Sequence, residues 1–147
     1  MGEKMIGAII AKQAIRSGFD AFNEGDLEKF LEPWSENGIF VYQGKVKAGG
    51  EFAGKPAVKR WFEEFIEQFP QRKFTIKHVG VENIFDMLGN NTIFVQLDLE
   101  LTNKDGLNAT NSAVSVIKIK GSKIIHVVDF LKTSDGDDYK RGWGDIK

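Results

Sequence analysis

Apolar residues recur along the first third of the chain at helical spacing. Ala8, Ala11, Ile15, Phe19 and Phe22 follow at steps of three and four, which places them on one stripe. Gly25 suits the left-handed residue that closes such a helix, and Asp26 suits the N-cap of the next. Leu27, Phe30, Leu31 and Trp34 repeat at i, i+3, i+4 and i+7, so a second helix is expected, paired with the first as a hairpin. A third is expected from about Pro56, because a first-turn proline forfeits no hydrogen bond. Its stripe is Val58, Phe62, Phe65 and Phe69, with Trp61 alongside and Pro70 as its end. The period then changes to two. Strands are expected over residues 39–46, 73–86, 92–102, 109–120 and 124–132, the second bulged near Gly80–Asn83, where the alternation slips. The turns Gly89-Asn90-Asn91, Asn103-Lys104-Asp105-Gly106 and Gly121-Ser122 are short, which forces antiparallel neighbours. The pattern predicts an α+β domain: one strongly curved antiparallel sheet with three helices packed on one side.

Turn lengths set a register for the last three strands. If Thr102 pairs with Ala109, Gln96 faces Ser115 and Asp98 faces Ala113. If residues 121–123 form the last loop, Ser115 faces Asp129. Opposite residues share a face, so Gln96, Ser115 and Asp129 would form a polar row, with Asp98 one pleat along. A one-residue slip in either turn destroys this row. Periodicity leaves two readings of the face. In one, the row is in solvent and Ile93, Val95, Leu97, Leu99 and Leu101 are core. In the other, the row lines a cavity under the helices, and that aliphatic ladder is an outer face needing a cover, most simply a second subunit. Asp129 favours the second, because Ile125, Val127 and Leu131, read as its same-face neighbours, are all apolar.

Composition narrows the function classes. The 147 residues suit one domain, expected over residues 1–132, with a polar tail over 133–147 whose only sizeable anchor, and candidate lid, is Trp143. Twenty basic against twenty-one acidic residues give a net charge of −1, which argues against a broad nucleic-acid surface. Lys55, Lys59 and Arg60 are followed at once by Glu63, Glu64 and Glu67, a mixed helix face. No apolar run approaches membrane-spanning length, so no membrane partner is expected. The chain has no cysteine, which excludes disulfide and thiolate chemistry and makes a reducing cytoplasm the expected location. His78 and His126 have no metal-ligand spacing around them, and Asp135-Gly136-Asp137-Asp138 lacks the alternating ligands of a calcium loop. Gly44, Gly49, Gly50 and Gly54 follow no phosphate-loop pattern and read as a hairpin and helix entry. No metal and no cofactor is expected.

With these elements in order, the chain resembles the SnoaL-like branch of the nuclear transport factor 2-like superfamily. The residues that carry the resemblance are Phe22-Asn23-Glu24-Gly25-Asp26-Leu27 with Phe30-Leu31, Trp34-Ser35-Glu36-Asn37-Gly38-Ile39-Phe40, Phe52-Ala53-Gly54-Lys55-Pro56-Ala57-Val58 leading into Trp61-Phe62, and Lys123-Ile124-Ile125. The resemblance implies a cone of three helices over a curved, cystatin-like sheet, a deep small-molecule pocket, and homodimerisation through the sheet's outer face, expected here at Ile93, Val95, Leu97, Leu99 and Leu101. It supports the inward reading of the polar row. Against the family's ketosteroid isomerase pattern, the base, oxyanion tyrosine and acidic partner would fall at Tyr42, Gly18 and Ser115, and all three are missing. Against its limonene epoxide hydrolase pattern, Gln96-Leu97-Asp98 and Asp129 keep both acids and lose the arginine, and Phe40 stands where a water-holding tyrosine would be.

Two inward carboxylates without that arginine would be desolvated and mutually repelling, so at least one would hold a proton near neutrality. Asp129 is then the expected base and Asp98 the acid, with Gln96, Ser115 and Tyr42 orienting water or a carbonyl. The expected apolar wall is Phe19, Phe22, Trp34, Phe40, Trp61, Phe62, Phe65, Phe94 and Val127. The function expected is acid–base chemistry on a small, largely apolar, oxygenated substrate, of isomerase, cyclase, dehydratase or hydrolase type. The alternatives are a ligand-binding or sensing domain, and a protein-interaction module with a collapsed cone.

Overall fold

The computed structural model describes residues 2–43, 48–132 and 143. Helix α1 spans Gly2–Glu24, α2 Leu27–Leu31 and α3 Lys55–Gln68; the strands are β1 Trp34–Tyr42, β2 Gly50–Ala53, β3 Gln71–Val81, β4 Asn91–Thr102, β5 Asn108–Lys120 and β6 Lys123–Leu131. They form one six-stranded sheet in the order β2-β1-β6-β5-β4-β3. All neighbours are antiparallel except β1 and β6, which run parallel, so the sheet is mixed rather than wholly antiparallel. Among the described residues no helix is long and apolar enough to cross a membrane.

The helix ends follow local chemistry. Gly25, at φ +82, lets its N–H donate to Phe22 O (3.0 Å) while Asp26 N donates to Ala21 O (2.8 Å), the paired bonds that close a helix on a left-handed residue. Asp26 then caps α2 by accepting from Lys29 N. The turn is held against β3 by polar contacts. Asn23 both donates to Phe74 O and accepts from Phe74 N (2.9 and 2.8 Å), and Arg72 Nε donates to Phe22 O. Trp34 is not the last residue of α2, as its spacing suggested. Glu32 keeps helical backbone (φ −52, ψ −46), but Pro33 has no N–H to extend the helix, and Trp34 begins β1 beside Ile124. Strand β2 was expected only as part of a glycine-rich hairpin. The bulge in β3 falls between Ile76 and His78, earlier than the alternation indicated. The expected strand end at residue 46 and the run 135–138 lie outside the described residues, as does the tail apart from Trp143.

The core lies between the helices and the concave face of the sheet. Phe22, Phe40, Phe65, Phe69, Ile93, Val95 and Leu97 are fully buried there. Rings from α1, α2, α3 and β1 contact one another edge-on or tilted, as at Phe30–Phe62 and Phe40–Trp61. Trp143 joins this core against Tyr42, Trp61, Phe65 and Phe69.

The burial of β4 reverses the favoured sequence reading. Ile93, Val95, Leu97, Leu99 and Leu101 face the helices as core, and are not an outer dimer face. The cause is the β4–β5 loop. Asn103 Oδ1 accepts from Asp105 N (3.0 Å) and Leu107 N (2.8 Å), and Asn103 N donates to Leu107 O. This wraps the loop into five residues. Thr102 therefore pairs with Asn108 instead of Ala109, its hydroxyl donating to Asn108 Oδ1 at 2.7 Å. A shift of one residue sends every β4 side chain to the other face relative to β5.

Candidate active site

The corrected register builds a different row across the concave face: Val95, Ser115, Asp129 and Tyr42, from β4, β5, β6 and β1. Ser115 opposite Asp129 agrees with the expected pairing, though by another route. Gly121 and Ser122, both at positive φ, make a two-residue turn, and an irregularity beyond Lys118 supplies the extra residue. That same irregularity turns Ile125 away from Asp129, and Ile125 lies on the surface near Lys118 and Lys120.

Among the described residues, Asp129 is the one carboxyl lining a cavity of about 120 Å³ under the helices. Ala14, Gly18, Phe19 and Phe22 of α1, Phe30 of α2 and Phe62 of α3 form its roof; Trp34, Phe40, Ile117 and Val127 form its floor. Among the described residues, the lining is apolar or aromatic apart from Ser115, Ser122 and Asp129. A smaller void of about 20 Å³ lies behind it, bounded by Tyr42, Trp61, Phe65, Leu97 and again Asp129. Asp129 thus stands between two chambers. The cone is not collapsed.

The electrostatics follow from that position. Ser115 Oγ donates to Asp129 Oδ1 at 2.5 Å and favours the ionised carboxylate. Burial opposes it more strongly and pushes the Asp129 pKa up to about 6. The Tyr42 hydroxyl is buried and has no hydrogen-bond partner among the described residues. The void it shares with Asp129 is large enough for one water.

The other acid is elsewhere. Asp98 pairs with Ser112 on the convex face, accepts from its hydroxyl at 3.2 Å, and lies 3.7 Å from the exposed Lys77 ammonium. Gln96 is likewise exposed opposite Val114, and Phe94 stands on the same outer face. The expected row of Gln96, Asp98, Ser115 and Asp129 is therefore divided between two faces of the sheet. Phe19, Phe22, Trp34, Phe40, Phe62 and Val127 line the main chamber, whereas Trp61, Phe65 and Tyr42 line the inner one. Phe30 and Phe74 also line the main chamber and were missed; Phe30 was already on the α2 stripe. Among the described residues no three His, Asp or Glu side chains are grouped to hold a metal ion.

A family model for the SnoaL-like domain matches residues 15–127 of the chain. Solved structures of the same fold include three at low identity. TerC, co-crystallised with polyporic acid, is 18% identical over 82% of this chain and 90% of its own, with a TM-score of 0.67. A nuclear transport factor 2-like protein of unknown function from Burkholderia pseudomallei is 17% identical over 84% and 92%, with a TM-score of 0.70. A candidate isomerase from Bacillus subtilis is 20% identical over 88% and 87%, with a TM-score of 0.66. At these identities the likeness is one of fold. No curated protein sequence matches the chain.

Proposed function

The chain belongs to the SnoaL-like domain family, and from that premise we propose that it is a small-molecule enzyme of proton-transfer type, an isomerase or cyclase, with Asp129 as its base. The observation that carries this reading is one carboxyl among the described residues, raised to about 6, in a largely apolar chamber. A base with a pKa near neutrality is mostly ionised at pH 7 and still returns its proton readily. With a carbonyl compound in the chamber, Asp129 takes a proton from the carbon beside the carbonyl, and the bonding pair moves onto oxygen as an enolate. Ser115 holds the carboxyl in place. The Tyr42 hydroxyl, directly or through one water in the inner void, donates to the developing oxyanion. With a β,γ-unsaturated carbonyl compound the enolate is a dienolate, and the same carboxyl returns the proton at its γ-carbon as the double bond shifts into conjugation. With a dicarbonyl compound the enolate carbon attacks the second carbonyl, and the carboxyl gives its proton to the alkoxide formed. One carboxyl suffices for either outcome. Dehydration or hydrolysis with a separate acid finds no support, because Asp98 lies across the sheet. Relatives of this fold that include a candidate isomerase, and a protein co-crystallised with polyporic acid, support a small organic ligand.

Cyclohexanone in D2O is a compact probe of this chemistry. The protein is expected to speed deuterium exchange at the carbons flanking the carbonyl, followed by NMR, with a rate rising through pH 6. Asp129→Asn is expected to lower that rate by about 10²-fold or more. An equal rate in the variant refutes the assignment. One carboxyl alone, among the described residues, on a largely apolar lining also suits one other reading, a binding domain without turnover. It predicts cyclohexanone bound with no exchange.

The dimer is proposed on the convex face with other residues than the sequence suggested. Phe94, Val114 and Phe130 are exposed there, and Val116 and Val128 lie between them in the β4–β5–β6 ladder. An apolar strip on the solvent side of a sheet is the signature of a covered surface, and a second copy meeting it face to face is the closed, self-complementary solution.

A further inference from the structure

The main chamber is small for its fold's purpose. At about 120 Å³ it falls below the roughly 300–1,000 Å³ of ordinary ligand pockets and resembles a cavity that holds one small ring. Apolar residues that face water lie next to its lining, one turn along α1 and in the β3–β4 loop. Along α1, residues 7, 10, 14 and 18 lie on one helix face. Gly7 is in backbone contact with the β3–β4 loop: a Cβ there would come within 2.1 Å of Asp86 O. Ala14 and Gly18 line the chamber. Ile10 lies between them and is 58% exposed. On the loop side, Met87 and Leu88 are 57% and 77% exposed. The next residue, Gly89, accepts from Ser122 N, and Ser122 lines the chamber. Ile10 is thus one helical turn from Ala14 of the lining, and Met87 and Leu88 immediately precede Gly89, which is bonded to Ser122 of the lining; the three together are called the collar.

The loop carrying this collar is braced from within. Asp86 accepts from Leu88 N and Asn90 N at 3.1 and 3.0 Å, Asn83 accepts from Phe85 N, and Asn90 accepts from Gly121 N. Its polar side chains are therefore spent on its own backbone and on the β5–β6 turn, while its aliphatic side chains point to solvent. An ordinary surface loop has the opposite arrangement.

We propose that this collar is the outer half of the ligand site. Resting on the function proposed above, it identifies the ligand class as a carbonyl compound with a compact reacting end at Asp129 and an apolar chain or second ring that leaves the chamber and lies on Ile10, Met87 and Leu88.

The test compares cyclohexanone with 4-hexylcyclohexanone by titration calorimetry, using wild type, Ile10→Ser and the Met87→Ser/Leu88→Ser double variant. In wild type the hexyl compound is expected to bind at least 30-fold more tightly. The collar variants are expected to lose at least tenfold on the hexyl compound and less than twofold on cyclohexanone, whose binding also reports that the variants are folded. No tightening with the chain, or equal tightening in the variants, overturns the proposal. Collar variants that alter only vesicle binding to phosphatidylcholine, or only the oligomeric state in light scattering, also overturn it in favour of a membrane or a second copy. Failure of the Asp129 reading looks different: exchange on cyclohexanone is then insensitive to Asp129→Asn, whatever the chain length does.

Discussion

Asp129 has a pKa near 6 when folded, against 3.8 for a free side chain. Between these values the folded protein binds more protons than the unfolded one. Stability therefore falls as pH rises from about 4 to about 6, and the deficit is complete above that window. A shift of this size corresponds to as much as about 3 kcal/mol. Asp129→Asn is expected to be more stable than wild type by about 1–3 kcal/mol at pH 8, with the difference closing by pH 4; urea denaturation at the two pH values reads it directly. A charge held at that disadvantage is the mark of a functional side chain, since a structural one would be replaced at a gain. Tyr42 makes a companion case. Its hydroxyl is buried without a protein partner among the described residues, so Tyr42→Phe is expected to change stability by less than about 1 kcal/mol. The same variant is expected to slow deuterium exchange on cyclohexanone at least tenfold. A large loss of stability with unchanged exchange would assign the hydroxyl a structural role.

The β4–β5 hairpin decides which residues reach the chamber, and one side chain closes it. Asn103→Ala removes the acceptor for two loop amides and is expected to destabilise the fold by about 1–3 kcal/mol in urea denaturation. This also marks where the sequence stopped being readable. The helices were legible because their aromatic stripes repeat at 3.6 residues and Gly25 and Pro56 punctuate them. The placement of Ser115 against Asp129 comes out right only because two departures cancel: the turn is one residue shorter than expected, and the irregularity beyond Lys118 restores the register. The β4–β5 register was not legible, because loops of five and six residues around Asn103 look alike in the sequence and only the Asn103 hydrogen bonds choose between them. That choice moved Asp98, Gln96 and Phe94 to the convex face and put the Ile93–Leu101 ladder into the core. Of the two readings that alternation along β4 left open, the one with Ile93, Val95, Leu97, Leu99 and Leu101 as core is the correct one. The carboxylate on β6 was a sound signal for a pocket, but its extension to Asp98 required a register that the loop does not adopt.

Three helices over a curved sheet leave two surfaces with different work. The concave one is filled with aromatic rings up to the chamber around Asp129, and the convex one carries the strip of Phe94, Val114 and Phe130. If the strip joins two copies, Phe130→Glu in wild type is expected to give a monomer in light scattering while leaving exchange on cyclohexanone within about twofold, because the chamber opens on the other side of the sheet. A protein that is monomeric before substitution removes that interface. The proposed chemistry rests on one property: the Asp129 carboxyl, alone among the described residues on the chamber's lining, is largely desolvated beneath the helical roof. Carbon-detected NMR titration of the Asp129 carboxyl measures this most directly. A midpoint near pH 6, shifted further when cyclohexanone binds, is the predicted result. A midpoint at or below pH 4, unmoved by the ketone, would mean that the carboxylate meets solvent, and the proton-transfer account would fail.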